Sequence, residues 1–377
     1  MKVAPIAQKV LEKRNKEQFS FVTTEGTGRK LEENELKSRR YIIWTAKGPA
    51  TYAEVDRNVF RSNNFKIVEY NYPIPKLEFI HRPSCAKMST YGSISIRLER
   101  VKGFMKWTSL LLQKTFNLHW TFNDWLAVAN NKIPESPPKV IEARYKDAFL
   151  LNGYTELYQS YYNNKTKPRS VVWNTIDSMV IAPRPVVGYG EEGLAVYYAL
   201  QDYPVVNMTG FVIGSEWPWI EVLALQNGAA KVVTVEYQET KIVGTKKIEY
   251  IHPIEFAKQW SEKNESYDFS IPFSSIEHSG LGRYGDPIDP SGDLKEVQKV
   301  LCLLKRGGLF YLGIPRGKDA LFYNAHRIYG RMRLAMMMTG FQWLATYRGN
   351  NAHSVTVTEE DYNRVSHTQD LYVLKKI

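Results

Sequence analysis

Cysteine is scarce in this chain. Cys85 and Cys302 are the only two in 377 residues, far apart in sequence and forming no metal or redox pattern. Cys302, inside Val300-Leu-Cys-Leu-Leu304, is expected to serve as a small buried hydrophobe. Long apolar runs are missing as well. The most apolar windows, 107–112 and 334–338, fall far short of the roughly 20 residues that cross a bilayer. No apolar core of signal-peptide length opens the sequence. The expectation is a soluble chain, cytoplasmic by default, with the secretory-pathway lumen as the alternative if an upstream anchor has been removed. No internal repeat is visible, and the length allows one large domain or two ordinary ones.

Charge is plentiful but one-sided. The formal balance is +11, and the excess lies wholly in residues 1–180, which carry 29 Lys and Arg against 17 Asp and Glu. That half contains no run of five basic residues, so a solvated basic surface is preferred to a polyanion-binding face. Residues 1–40 read as a charged lead. Residues 104–128 carry Trp107, Leu111, Phe116, Trp120 and Trp125 at nearly helical spacing, a packing face more than a ligand cage. The clearest break is 130–138, rich in Asn and Pro, and 145–162 reads as a helix. A second polar break at 163–170 marks the expected boundary between an N-terminal basic region, 1–170, and a C-terminal domain, 171–377.

Beyond residue 171 the pattern becomes regular. Strands are expected at 209–213, 231–236, 247–251, 267–271, 309–314, 341–348 and 371–376. Helices are expected at 191–200, 218–226, 255–263, 292–304 and 329–338, with Lys305-Arg-Gly-Gly308 capping the fourth. Such alternation implies an α/β fold: a mainly parallel, Rossmann-like sheet of seven strands with helices on both faces and an antiparallel pair at one end.

The most informative stretch is Met208-Thr-Gly-Phe-Val-Ile-Gly-Ser-Glu-Trp-Pro-Trp-Ile-Glu221 followed by Lys231-Val-Val-Thr-Val-Glu236. It runs strand, glycine turn, helix, strand, acid, the front half of a nucleotide site. Gly214 lets backbone approach a ligand, and Glu236 can accept hydrogen bonds from both hydroxyls of a ribose. The turn has neither G-x-G-x-x-G spacing nor the Lys-Ser/Thr of a P-loop, and Trp217 and Trp219 would crowd a pyrophosphate. A phosphate-free adenosyl ligand, S-adenosylmethionine, fits better.

This series, with Leu303-Leu-Lys-Arg-Gly-Gly-Leu-Phe-Tyr-Leu-Gly-Ile-Pro315 at the fifth strand, resembles a class I S-adenosylmethionine-dependent methyltransferase. More narrowly, Ser275-Ile-Glu-His-Ser-Gly-Leu-Gly-Arg-Tyr-Gly-Asp-Pro-Ile-Asp-Pro290 and Asn324-Ala-His-Arg-Ile-Tyr-Gly330 resemble the family catalogued as domain of unknown function 268, over residues 180–350. The resemblance implies a cofactor site formed by Gly214, Glu216, Trp217, Glu236, His252, Ser274 and Ser275. It departs from the broader methyltransferase pattern in lacking the acid at the end of the first strand, where Val212 and Ile213 stand, and in having His252 after the third.

For catalysis, His278 just beyond the fourth strand is the leading general base, with Glu277 beside it. Tyr284, His326, Arg327 and Arg331, with Arg333 nearby, are candidate acceptor-binding residues, arginine suiting a carboxylate, phosphate or polyhydroxylated acceptor. Asp286, Asp289 and Asp293 could hold Mg²⁺, although Asp-Pro turns and a helix start are the plainer role for them. The leading expectation is an O-methyltransferase acting on a small molecule or glycan hydroxyl. A non-catalytic binding or scaffold protein of the same fold is the second reading. Nucleic acid is a disfavoured partner, since the Asn/Asp-Pro-Pro-Tyr/Phe motif of base-amino methyltransferases is absent.

Overall fold

A computed structural model describes residues 41–83, 85, 122, 126, 136–163 and 170–377. Seven strands build the principal sheet: β1 Thr209–Ile213, β2 Lys231–Val235, β3 Ile248–Ile251, β4 Tyr267–Pro272, β5 Leu304–Pro315, β6 Phe341–Tyr347 and β7 Gln369–Lys376. Their order across the sheet is β3-β2-β1-β4-β5-β7-β6. All pairings from β3 to β5 are parallel, and β7 runs antiparallel to both β5 and β6. This is the Rossmann-like, methyltransferase-type α/β sheet expected, and the order reverses direction between β1 and β4, where such sheets open a crevice at their carboxyl ends.

Strand residues alternate between two cores, as a two-sided sheet requires. Phe211, Phe310, Leu312, Tyr372 and Leu374 face one core together with helices α3 Pro253–Lys258, α4 Gly292–Leu303 and α5 Arg333–Met337. Val212, Tyr311 and Val373 face the other, packed against α1 Leu194–Asp202 and α2 Trp219–Gln226. Among the described residues no helix is long and apolar enough to cross a membrane.

Ile42–Ile377 form one compact unit. Ile43, Tyr52, Val55, Phe60, Phe65 and Leu77 enter the core on the α3–α4 face of the sheet. Arg331 also reaches back to donate to the carbonyls of Ile42 and Pro73, both at 2.6 Å. Three expectations are corrected. Residues 145–162 are not one helix. Leu151 and Asn152 adopt left-handed conformations (φ 49° and 59°) after the short helix Lys146–Phe149, and Glu156–Gln159 then pairs in parallel with Ala320–Tyr323. Helix α4 has no glycine cap; Leu304 is already extended, and the register shift between β4 and β5 accommodates residues 305–308 within the strand. Finally, Cys302 is bonded to Cys85, with Cα atoms 5.9 Å apart. The pairing spans 217 residues, which no local spacing could signal. Residues 1–40 and the stripe 104–128, apart from Phe122 and Leu126, lie outside the described residues.

Candidate functional site

The carboxyl ends of β1, β2 and β4 open onto a cavity of about 130 Å³. Gly214 and Glu216 bound it after β1, Glu236 after β2, and Ser274, Ser275 and His278 after β4. Phe256 of α3 and Glu296 and Lys299 of α4 close the far side.

The glycine turn is required by the fold itself. Gly214 has φ +76°, and a Cβ there would strike the Ser275 hydroxyl, so a larger residue would drive apart the loops that follow β1 and β4. Ser274 carries strain of the same kind with a side chain (φ 50°). Its conformation is held by its N–H, which donates to Gly313 O at 3.0 Å, and by its hydroxyl, which donates to Glu277 Oε1 at 2.9 Å and accepts from Gln369 Nε2 at 3.2 Å.

Glu236 ends β2 as expected. One carboxylate oxygen accepts from the Gln238 N–H at 3.1 Å, and among the described residues no cation pairs with it. Burial pushes its pKa up to about 7, against the pull of the backbone N–H groups of Gln238 and Tyr237. Glu221 of α2 is pushed up to about 7 for the same reason, but it lies behind the turn and outside the cavity. Its Oε1 accepts from Thr234 Oγ1 at 2.8 Å and its Oε2 from Ser215 Oγ at 3.0 Å, tying helix to strand.

His278 lies in the cavity wall with Nδ1 2.6 Å from the carbonyl of Ala325. A carbonyl only accepts, so Nδ1 carries the proton and Nε2 the lone pair. Burial, reinforced by the Arg283 charge, lowers its pKa to about 3, so it is a neutral imidazole at physiological pH. Glu277 is wholly buried and outside the cavity wall; burial raises it to about 7, and its Oε2 has no hydrogen-bond partner.

The other expected site residues divide. Tyr284 lines the cavity and meets the His278 ring edge-on, centroids 5.4 Å apart. Trp217 is 40% exposed and outside the cavity. His252 caps α3, its Nδ1 accepting from the Ile254 N–H at 3.3 Å, and is likewise outside. His326 hydrogen-bonds His367 at 3.0 Å and stacks on Phe322. Arg327 is buried and spans the loop after β4, donating to the carbonyls of Glu277, Ser279, Asp289 and Pro290. Arg331 is committed to the 42–73 region, and Arg333 to Asp293. These arginines brace the fold and lie outside the cavity wall.

The three aspartates are also engaged. Asp286 accepts from the N–H groups of Gly280, Gly282 and Tyr284, and Asp289 from Lys295 and Ser291. Asp293 accepts from Arg333 and Tyr329. Among the described residues no group of three His, Cys, Asp or Glu side chains could hold a metal ion. Tyr189, Glu296 and Lys299 complete the wall without having been expected. Glu296 and Lys299 pair at 2.6 Å one helical turn apart, and that i,i+3 spacing was the one legible trace of them.

Among solved structures, the chain is similar to 1,6-didemethyltoxoflavin-N1-methyltransferase of Burkholderia thailandensis, with S-adenosylhomocysteine bound (13% identity, TM-score 0.34, 49% of this chain and 78% of that one). It is also similar to an S-adenosylmethionine-dependent methyltransferase of Mesorhizobium loti (14%, 0.32, 50% and 100%). A third is the N-methyltransferase NodS of Bradyrhizobium japonicum, in complex with S-adenosylhomocysteine (11%, 0.32, 54% and 96%). No curated protein matches the chain. Residues 207–377, which contain Gly214, Glu236, Ser275 and His278, match the family of domain of unknown function 268, described as a Caenorhabditis protein of unknown function.

Proposed function

We propose that the cavity is the donor site of an S-adenosylmethionine-dependent O-methyltransferase acting on a small molecule or glycan hydroxyl. The observation that carries this reading is Glu236: a carboxylate at the end of the second strand, in the crevice, with no cation among the described residues to neutralise it. Such a group suits a diol that donates two hydrogen bonds. Gly214 and Glu216 border the pocket beside it, and Ser274 and Ser275 form its floor. The donor, when bound, supplies an electrophilic methyl group on a sulfonium, and the acidic lining of Glu216, Glu236 and Asp286 suits a cation. His278 offers a fixed tautomer whose Nε2 accepts a hydrogen bond from an acceptor hydroxyl and orients it. As so weak a base, it positions that oxygen more than it deprotonates it.

The test is calorimetric titration of S-adenosylmethionine and S-adenosylhomocysteine into the protein and into Glu236→Ala. Micromolar binding that weakens roughly tenfold to a hundredfold in the variant is expected. Equal binding by both proteins, or no binding at millimolar ligand, sinks the ribose assignment. Binding without methyl release to any acceptor would favour the second reading, a scaffold of this fold, which the low basicity of His278 supports.

The Cys85–Cys302 bond points to an oxidising compartment. Two free thiols in freshly isolated native protein would count against that.

A further inference from the structure

We propose that Arg283 is the anchor for a carboxylate on the acceptor, so that the substrate is an acidic hydroxyl compound of the uronate or hydroxy-acid class. This rests on the reading of the cavity as a methyl-donor site. Arg327, Arg331 and Arg333 are engaged within the fold, whereas Arg283 stands beside the cavity with no carboxylate partner among the described residues. It lies in the loop that follows β4, and its Nη1 donates to the Ala325 carbonyl at 3.3 Å, the same oxygen that receives the His278 Nδ1 proton. Its guanidinium therefore sits directly beside the residue that faces the acceptor. The guanidinium carbon is 4.6 Å from the centroid of the Tyr162 ring and 5.0 Å from that of Tyr284, which lines the cavity. Among the described residues no carboxylate pairs with it, and its Nε is buried without a hydrogen-bond partner.

A guanidinium held between two rings keeps its fork in one orientation, so little side-chain freedom is lost when a planar carboxylate docks. The loop that carries it is rigid for reasons already given. Asp286 gathers three backbone N–H groups beneath it, and Arg327 spans its carbonyls. Tyr162 is fixed through its backbone, whose N–H and carbonyl both bond the side-chain amide of Asn324, at 2.8 and 2.9 Å.

The surroundings suit a ring-bearing acid. From the half-exposed Tyr158 a stack runs to Phe322 (4.6 Å, 11°) and on to His326 (5.0 Å, 13°), which meets His278 edge-on at 6.3 Å. Tyr161 and Tyr162 add exposed aromatic faces alongside, the kind of surface on which the apolar face of a sugar settles. An acid bound at Arg283 would also have a chemical consequence. It would offset one of the charges that hold His278 in its weakly basic state, making that imidazole a better partner for the acceptor hydroxyl.

The experiment titrates D-glucuronate into the protein with and without S-adenosylhomocysteine, alongside D-glucuronamide, D-glucose and inorganic phosphate as controls, and repeats the series on Arg283→Gln and Arg283→Lys. Glucuronate is expected to bind, the amide and glucose to bind roughly tenfold more weakly or not at all, and Arg283→Gln to abolish the difference. Arg283→Lys should retain only part of it, since an ammonium lacks the fork. Equal binding of acid and amide, selectivity that survives Arg283→Gln, or phosphate bound in preference to glucuronate would overturn the proposal. Far-UV circular dichroism and thermal unfolding of Arg283→Gln at wild-type values check that the variant is folded. If the wild-type protein binds glucuronate selectively but no S-adenosylhomocysteine, the donor assignment fails and the carboxylate site stands.

Discussion

Asp293 and Glu277 are both wholly buried acids at the carboxyl end of the sheet, and they are held in opposite states. Burial alone would raise either pKa. At Asp293 the guanidiniums of Arg327 and Arg333 outweigh burial and hold the carboxylate down to about 2, with Arg333 donating to both oxygens at 2.6 and 2.7 Å. At Glu277 no cation among the described residues opposes burial, His278 at 3.8 Å being neutral, and the group is raised to about 7. Glu236, in the cavity wall, behaves like Glu277. The contrast separates two uses of acidic residues. Where the chain supplies the counter-charge, the acid is a fastener. Where it does not, burial raises the acid, and of Glu277 and Glu236 it is Glu236 that lines the cavity. The arginines differ in degree: Arg327, Arg331 and Arg333 each make several internal hydrogen bonds, and Arg283 donates to one carbonyl with no carboxylate partner among the described residues.

The largest effect should come from breaking the fastener. Asp293→Asn leaves two buried guanidiniums without their anion and is expected to cost about 3–5 kcal/mol, read as a drop in the unfolding free energy in urea. A loss under about 1 kcal/mol would show that the Asp293 network contributes little beyond packing.

A subtler pair of effects follows from pH. Asp293 titrates lower folded than unfolded, so its contribution is present above roughly pH 4 and lost as pH falls toward 2. Glu277 titrates higher folded than unfolded, so its contribution is full below roughly pH 4 and is lost as pH rises through about 7. Unfolding free energy measured between pH 3 and pH 8 should therefore fall at both ends. Asp293→Asn should flatten the acid limb, and Glu277→Gln should make the neutral one shallower, the rest being carried by Glu221 and Glu236. If Glu277→Gln left the neutral limb unchanged, the assignment of Glu277 as an unpaired buried acid would be wrong.

Much of the framework is legible in residue order. The apolar runs at 209–213 and 231–236 are strands because β-branched and aromatic residues there are buried on both faces, and each lies within a residue of its expected limits. Gly214 and Glu236 could be singled out because a turn between a strand and a helix, and the end of the next strand, are local positions. His278 and Tyr284 follow from their distance beyond the fourth strand. The failures share one cause. His252 and Trp217 stand at the right distance along the chain, but the side chain of one turns to cap α3 and that of the other turns to solvent, choices made by packing. The pattern of 145–162 suggests a helix because the partner strand of Glu156–Gln159, Ala320–Tyr323, lies far away in sequence.

The sequence by itself determined the alternation of strands and helices, the glycine turn and the acid after the second strand, because these depend on neighbours a few residues apart. Only the tertiary structure decided which charges are paired. Whether Arg327 braces a loop or meets a ligand, whether Cys302 finds Cys85, and whether Arg283 is left without a carboxylate all depend on contacts between distant segments. Those contacts set the local field and the solvation of each group, and sequence order alone does not fix either.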